Sequence, residues 1–95
     1  MTKADIINDV SKQTGFTKVE VEIMLDSVIN SIKASLANGE RVDMRGFGSF
    51  LVKRREARNS RNPATNEIFK LGARYIPSFK VSKILKEYVN KNLIN

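Results

Sequence analysis

A run of cationic side chains lies in the middle of this 95-residue chain. Residues 53–61 carry five Lys or Arg against a single Glu, and the run ends at Asn62-Pro63. Charges in that number are almost never buried without partners, so the segment must lie in solvent and face something anionic. The chemistry that it offers is electrostatic attraction. Proline fixes its own φ and biases the preceding residue towards extended geometry, so the run ends in a stiff apolar point.

The residue types that most enzymes use for catalysis are missing. The sequence has no His and no Cys, so the usual general base, thiol nucleophile and zinc ligands are absent. Asp43, Glu56 and Glu67 are isolated among cations without the repeated acidic spacing of a metal site, and no phosphate-loop lysine motif occurs. We therefore expect no catalytic residue, no metal site and no cofactor.

The positive charge is concentrated in the second half of the chain. Residues 1–40 hold four Lys or Arg against six Asp or Glu, whereas residues 41–95 hold 13 against four, and the formal net charge is +7. A local basic surface is typical of proteins that bind nucleic acid. No apolar run of signal-peptide or membrane-spanning length occurs, so we expect a cytoplasmic protein.

Two helices are predicted before the basic region. Thr2 begins the first helix and Gly15 ends it, while Thr17 and Glu20 have the spacing of a capping box at the start of the second. One short neighbouring helix could not cover the broad apolar stripe of the second helix, so we expect a second subunit to share it. This stripe consists of Val21, Met24, Leu25, Val28, Ile29, Ile32 and Leu36.

Strands and a final helix are predicted in the second half. Residues 41–44 alternate as a half-buried strand does, and two glycines then bracket a turn into the next strand. This strand leaves the body at about Lys53. Residues 67–71 form the returning strand of the ribbon, and residues 74–79 re-enter the body. Ser82 begins the last helix.

Lysines near the start of this last helix oppose the helix dipole unless an anion binds there. Lys80, Lys83 and Lys86 form this group. Lys3 lies at the start of the first helix, where an anion could bind in the same way. A solvated basic helix end is the alternative interpretation at both places.

The cations of the central run do not all share one strand face. Lys53 and Arg55 have the same parity, and Arg54 points the other way. We expect Arg58 and Arg61 to break that parity. For Lys53, Arg55, Arg58 and Arg61 all to face one surface, the ribbon needs a bulge or twist between Arg55 and Arg58. The alternative is a flexible loop with charges on both sides.

Three segments resemble the HU and integration host factor family of bacterial DNA-bending proteins: Gly46-Phe47-Gly48-Ser49-Phe50, the spaced Arg58 and Arg61, and residues 61–67 at the proline tip. The resemblance covers essentially the whole chain. Two departures stand out. Asn66 replaces a usual glycine but tolerates the left-handed conformation of a turn, and Val81-Ser82 replaces a usual proline-glycine pair, where Ser82 can cap a helix.

The resemblance implies an α+β fold in a single HU/IHF-like DNA-binding domain over residues 1–95. Two N-terminal helices, a three-stranded antiparallel sheet with an extended β-ribbon arm and a C-terminal helix would form an intertwined dimer. Residues 1–40 would be the helical dimerisation region, residues 41–81 the sheet with its arm at about 53–75, and residues 82–95 the C-terminal helix.

The resemblance also implies non-catalytic binding and bending of double-stranded DNA, largely independent of sequence, in support of nucleoid compaction and DNA transactions. The arms would enter the minor groove, and the proline tip would intercalate. The expected arm contacts are Lys53, Arg55, Arg58, Arg61, Asn62, Pro63, Lys70 and Arg74. The expected phosphate contacts on the body are Lys3, Gly46, Lys80, Lys83 and Lys86. The expected dimer core contains Val28, Ile29, Ile32, Phe47, Phe50 and Phe79.

Two other functions stay open from the sequence. The segment from Arg45 to Phe50 also resembles the sequence-specific subunits of integration host factor, which would make the protein half of a heterodimer. An RNA-binding or purely protein-interaction module is the alternative from a different class. No membrane and no small-molecule substrate are expected as partners.

Overall fold

The computed structural model describes residues 1–94, apart from the side chain of Leu71. The chain contains α1 (Lys3–Thr14), α2 (Lys18–Ala37), β1 (Val42–Met44), β2 (Gly48–Arg55), β3 (Arg58–Arg61), β4 (Ile68–Leu71), β5 (Arg74–Val81) and α3 (Lys83–Leu93). This order confirms the predicted α+β architecture of two helices, a sheet with a ribbon arm and a final helix. Two compact units are present, Met1–Ser35 and Leu36–Asn95.

Local hydrogen bonds begin and end the two N-terminal helices where the sequence predicts. The Thr2 hydroxyl accepts from the Asp5 amide at 3.3 Å, and the Asp5 carboxylate accepts from the Thr2 amide at 2.8 Å. Thr17 and Glu20 make the same reciprocal pair at the start of α2. Gly15 ends α1 with a φ of 81°, which a residue without a Cβ adopts freely.

The unit of residues 1–35 buries few apolar side chains. Ile7 and Val21 are buried. Further along the stripe on α2, Val28 keeps 50% of its surface exposed and Ile29 keeps 41%. A single chain therefore leaves much of this stripe in solvent, which is the condition expected of a surface that a second subunit covers.

The second unit is built on an antiparallel sheet in the order β1-β2-β5. Phe79 lies with its ring centroid 5.3 Å from that of Phe47 and 5.0 Å from that of Phe50, so aromatic side chains pack around the start of β2. Gly48 is buried beside them. A Cβ on Gly48 would meet the Phe79 ring and lie 2.6 Å from the Lys80 carbonyl oxygen, so this position admits no side chain without a backbone shift.

A second hydrogen bond network fixes the start of α3. The Ser82 hydroxyl accepts from the Leu85 amide at 3.0 Å, which confirms Ser82 as the cap of the last helix. The Ser82 amide donates to the Phe47 carbonyl oxygen at 3.0 Å. The turn between β1 and β2, with Gly46 at a φ of 82°, is thereby held against the first turn of α3.

Candidate nucleic-acid interface

The arm is the ribbon formed by β2 with β5 and then by β3 with β4. The first ladder ends at the pair Arg55–Arg74, and the second begins at the pair Arg58–Leu71. Residues 56–57 and 72–73 separate the two ladders, so the interruption has the same length on both strands. The bulge that the sequence offered as one way to bring the cations onto one surface is therefore absent between Arg55 and Arg58, because neither strand has an extra residue, and the ladder is interrupted there instead.

This register sorts the arm residues onto two faces. Side chains alternate along a strand, and residues paired across the ladder lie on the same side. We infer the faces of the whole arm by continuing this alternation across the equal gaps, which places five cations together on what we call the cationic face. These are Lys53, Arg55, Arg61, Lys70 and Arg74.

The opposite side of the ribbon, which we call the neutral face, carries balanced charge. Arg54 contacts Glu56 at 3.0 Å between guanidinium and carboxylate, and its guanidinium carbon lies 5.9 Å from the Tyr75 ring centroid. Arg58 and Glu67 supply the second cation and the second acid of this face. Counted along the chain, Arg61 has the same parity as Lys53 and Arg55, so the expectation that both Arg58 and Arg61 break the parity is wrong for Arg61.

The tip of the arm is a closed turn around the proline. The Asn62 amide donates to the Glu67 carbonyl at 2.9 Å, and the Asn66 amide donates to the Asn62 carbonyl at 2.7 Å. The Asn62 side-chain oxygen accepts from the Ala64 amide at 3.0 Å. Asn66 has a φ of 61°, which confirms the predicted left-handed conformation at this position. Pro63 is thus exposed at the end of a turn that is fixed on both sides.

A second cationic cluster lies at the start of α3. An open pocket brings Lys80 and Lys83 together with the Gly46 turn, so three of the five predicted phosphate contacts on the body share one surface. Arg41 and Arg45 line the same pocket, and neither is among the predicted phosphate contacts. Arg41 is paired with Asp43 at 2.7 Å. The adjacent apolar groove of α3 contains the remaining lysine of this helix start, Lys86.

Lys3 lies elsewhere, in the helical unit. Its ammonium group contacts the Asp26 carboxylate at 2.6 Å, and the hydrogen bond to Asp26 raises the pKa of Lys3. A phosphate must therefore compete with Asp26 for this lysine. The two residues are 23 positions apart, and no local pattern announces their pairing.

Two large apolar side chains near the tip were also absent from the predicted site. Ile68 pairs with Arg61 across the ladder and keeps 63% of its surface exposed. Phe69 pairs with Ser60 and keeps 47% exposed. An apolar pair in a strand after the turn is visible in the sequence, but its position relative to Arg61 follows only from the register. Among the helices of residues 1–94, none is long and apolar enough to cross a membrane.

The chain is similar to proteins of known family and structure. The model of a family described as bacterial DNA-binding protein matches residues 1–90. Integration host factor subunit beta of Marinobacter nauticus is 42% identical, over 98% of this chain and 96% of its own. DNA-binding protein HU of Staphylococcus aureus is 45% identical, over 94% of this chain and 99% of its own. The solved cocrystal structure of Anabaena HU with DNA covers 94% of this chain and 97% of its own, with a TM-score of 0.86 and 32% identity.

Proposed function

Because this chain belongs to the bacterial DNA-binding protein family of HU and the integration host factor subunits, we propose that it binds double-stranded DNA through its two-faced arm and bends it at the proline tip. The protein acts without catalysis and largely without regard to sequence. The single observation that carries the proposal is the dense positive charge of the exposed arm, which the inferred faces divide into five cations on one side and balanced charge on the other.

The cationic face is the side of the arm that meets the duplex. Lys and Arg side chains neutralise phosphates along both edges of a groove, while the neutral face stays in solvent. Asn62 and Pro63 lead the ribbon into the minor groove. Pro63 offers no charge and no N–H, so its contribution is an apolar surface inserted at an unstacked base step.

Basic groups on the body hold the DNA on either side of the bend. Gly46, Lys80 and Lys83 share one surface, which fits a phosphate bound by an amide and two ammonium groups. Lys86 extends the basic helix start by one turn. Lys3 joins these contacts when phosphate displaces Asp26, and Arg58 contributes from the neutral face to the local potential.

The functional unit is a dimer. Apolar surface that the single chain leaves exposed supports this, since Phe47 keeps 46% of its surface exposed and Phe79 keeps 42%, although both lie in an aromatic cluster. Residues 1–95 form one DNA-binding domain, in which residues 1–40 join the subunits and the arm spans about 53–75. The shared core contains Val28, Ile29, Ile32, Phe47, Phe50 and Phe79.

We propose a homodimer without strong sequence preference rather than a subunit of a sequence-specific heterodimer. The relatives of both branches are 40–45% identical to this chain, so identity does not select the sequence-specific branch. The protein works in the cytoplasm, on the nucleoid, where bending by many dimers compacts the chromosome and supports DNA transactions.

Salt-dependent binding to a short labelled random duplex tests the proposal. If roughly eight to ten phosphates are neutralised per dimer, log affinity falls against log salt with a slope near −7 to −9. Arg61→Ala flattens this slope by about one per arm, whereas Arg54→Ala, on the neutral face, changes it by less than half as much. Equal effects of the two variants contradict the two-faced arm, and stronger competition by single-stranded RNA than by duplex DNA contradicts the function.

A further inference from the structure

Asn38 and Gly39 form the turn that follows α2. They are the one Asn-Gly pair in the sequence, and both residues are exposed. Gly39 has a φ of 76°, and a Cβ built on it would meet no described residue within 4 Å. The side-chain amide of Asn38 and the backbone amide of Gly39 are therefore chemical neighbours in a turn with open space beside it.

A single hydrogen bond holds the Gly39 amide. It donates to the Leu36 carbonyl oxygen at 3.0 Å and so closes the end of α2. Helix ends open more easily than helix interiors, because fewer contacts have to be broken. The amide nitrogen is thus released from time to time while the rest of the fold stays intact.

We propose that Asn38 is a deamidation site, at which the chain slowly acquires a carboxylate that weakens the end of α2. The released Gly39 nitrogen attacks the side-chain carbonyl carbon of Asn38. A bond forms between these two atoms, the bond from that carbon to the side-chain nitrogen breaks, and ammonia leaves with the proton of the Gly39 amide. Water then opens the five-membered imide at either carbonyl, which gives aspartate or isoaspartate.

Asn30 provides a comparison within the same helix. It is also exposed, so exposure does not distinguish it from Asn38. Asn30 lies in the interior of α2, where the amide of the next residue is held in the helical hydrogen-bond ladder. That next residue is Ser31, whose Cβ crowds the attacking nitrogen. Both differences make Asn38 the reactive position.

A carboxylate at position 38 is unfavourable for α2. The carboxyl end of a helix carries partial negative charge, and α2, all of which the structure describes, has no Lys or Arg in its last turn to offset it. Glu40 adds a like charge two residues further on. Arg41, the next cation along the chain, is already paired with Asp43 at 2.7 Å. Isoaspartate also lengthens the backbone by one methylene, which displaces the closing hydrogen bond of the turn.

Incubation of the protein at physiological temperature, followed by tryptic digestion and mass spectrometry, measures the conversion. Residues 34–41 form one tryptic peptide and residues 19–33 another, so Asn38 and Asn30 are followed separately. Conversion at Asn38 is expected to exceed that at Asn30 by more than about tenfold, because Asn30 reacts only when the helix interior opens. A zero-time sample corrects for conversion during digestion. Asn38→Gln should abolish conversion in residues 34–41, since glutamine has to close a less favourable six-membered ring.

Asn38→Asp reproduces the charge of the product without the incubation. Its thermal midpoint at neutral pH is expected to lie about 2–5 °C below that of the parent protein. Asn38→Gln, the uncharged control, should lower the midpoint by less than half as much. High salt should reduce the difference between the two variants, because it screens the added charge from the helix end.

Three results would contradict the proposal. If residues 34–41 of the folded protein stay unconverted while a synthetic peptide of the same residues converts, the closing hydrogen bond protects Asn38 and the site is wrong. Equal conversion at Asn30 overturns the role of the turn. Equal midpoints for Asn38→Asp and Asn38→Gln overturn the weakening of α2. Neither the arm nor DNA takes part in this chemistry, so each result is independent of the proposed function.

Discussion

The base and the outer part of one β-ribbon have opposite characters in this protein. At the base, β2 and β5 are packed by Phe50 and Phe79, and Gly48 is buried. From Lys53 outwards the same two strands carry charged side chains, of which Lys53, Arg54 and Arg55 are exposed and Arg74 is half-buried. One continuous pair of strands therefore contributes stability at one end and binding at the other, which makes the two properties separable by substitution.

The largest expected effect on stability concerns two glycines of this ribbon. Gly48→Ala places a Cβ against the Phe79 ring and 2.6 Å from the Lys80 carbonyl oxygen, so the backbone must shift. Overpacking of this kind costs about 3 kcal/mol of the free energy of unfolding. Gly72→Ala, in the arm, meets nothing within 4 Å. Urea unfolding measures both variants.

The arm variant Gly72→Ala should be neutral or more stable by about 0.5 kcal/mol, because alanine has less freedom in the unfolded chain. Equal destabilisation by the two substitutions would contradict the distinction between a packed base and an open arm.

A smaller effect on stability concerns dimer formation, which covers the exposed apolar residues of the helices and of the ribbon's inner end. If the exposed apolar residues form a shared core, dilution favours unfolding, and each tenfold rise in protein concentration adds about 1.4 kcal/mol. The thermal midpoint should then rise by roughly 3–5 °C per tenfold increase. Scanning calorimetry at several concentrations measures it. A midpoint independent of concentration, together with a monomeric mass in solution, removes the dimer.

The smallest effect concerns how the free energy of unfolding depends on pH through the Asp43 carboxylate of β1. Ser49 and Arg41 donate hydrogen bonds to the Asp43 carboxylate, and these bonds lower the pKa of Asp43. A carboxyl group with a lowered pKa in the folded state stabilises the protein above its unfolded pKa of about 4, and this contribution is lost as the pH falls through the folded pKa.

Asp43→Asn should therefore lower the free energy of unfolding at neutral pH, and the difference from the parent should shrink as the pH falls below about 4. Urea unfolding at pH 7 and pH 3 provides the comparison. A difference that grows towards acid has the wrong sign for this account.

Local signals in the sequence predicted the ends of the elements correctly. Thr2, Thr17 and Ser82 cap helices because the interacting groups are three residues away. Asn66 adopts its left-handed turn for an equally local reason. The resemblance then supplied the arrangement of these elements, which no local pattern contains.

Features that depend on pairing between distant segments could not be predicted from the sequence. The Lys3–Asp26 ion pair joins two helices, and nothing in either helix indicates the other. The face on which Arg61 lies depends on equal gaps in both strands of the arm. Reading one strand alone left the choice between bulge and twist open, and the register removes the bulge because neither strand has an extra residue.

The most direct test of the central claim separates bending from binding at Pro63. Energy transfer between the ends of a short labelled duplex measures bending, and a binding isotherm is recorded at the same salt concentration. Pro63→Ala is expected to retain the fold, the dimer and most of the salt dependence, because proline contributes no charge. It should lose bending of intact duplex and part of the preference for nicked DNA, where a base step opens more easily. If Pro63→Ala bends the intact duplex as sharply as the parent protein, the tip is a passive turn and the wedge mechanism is wrong.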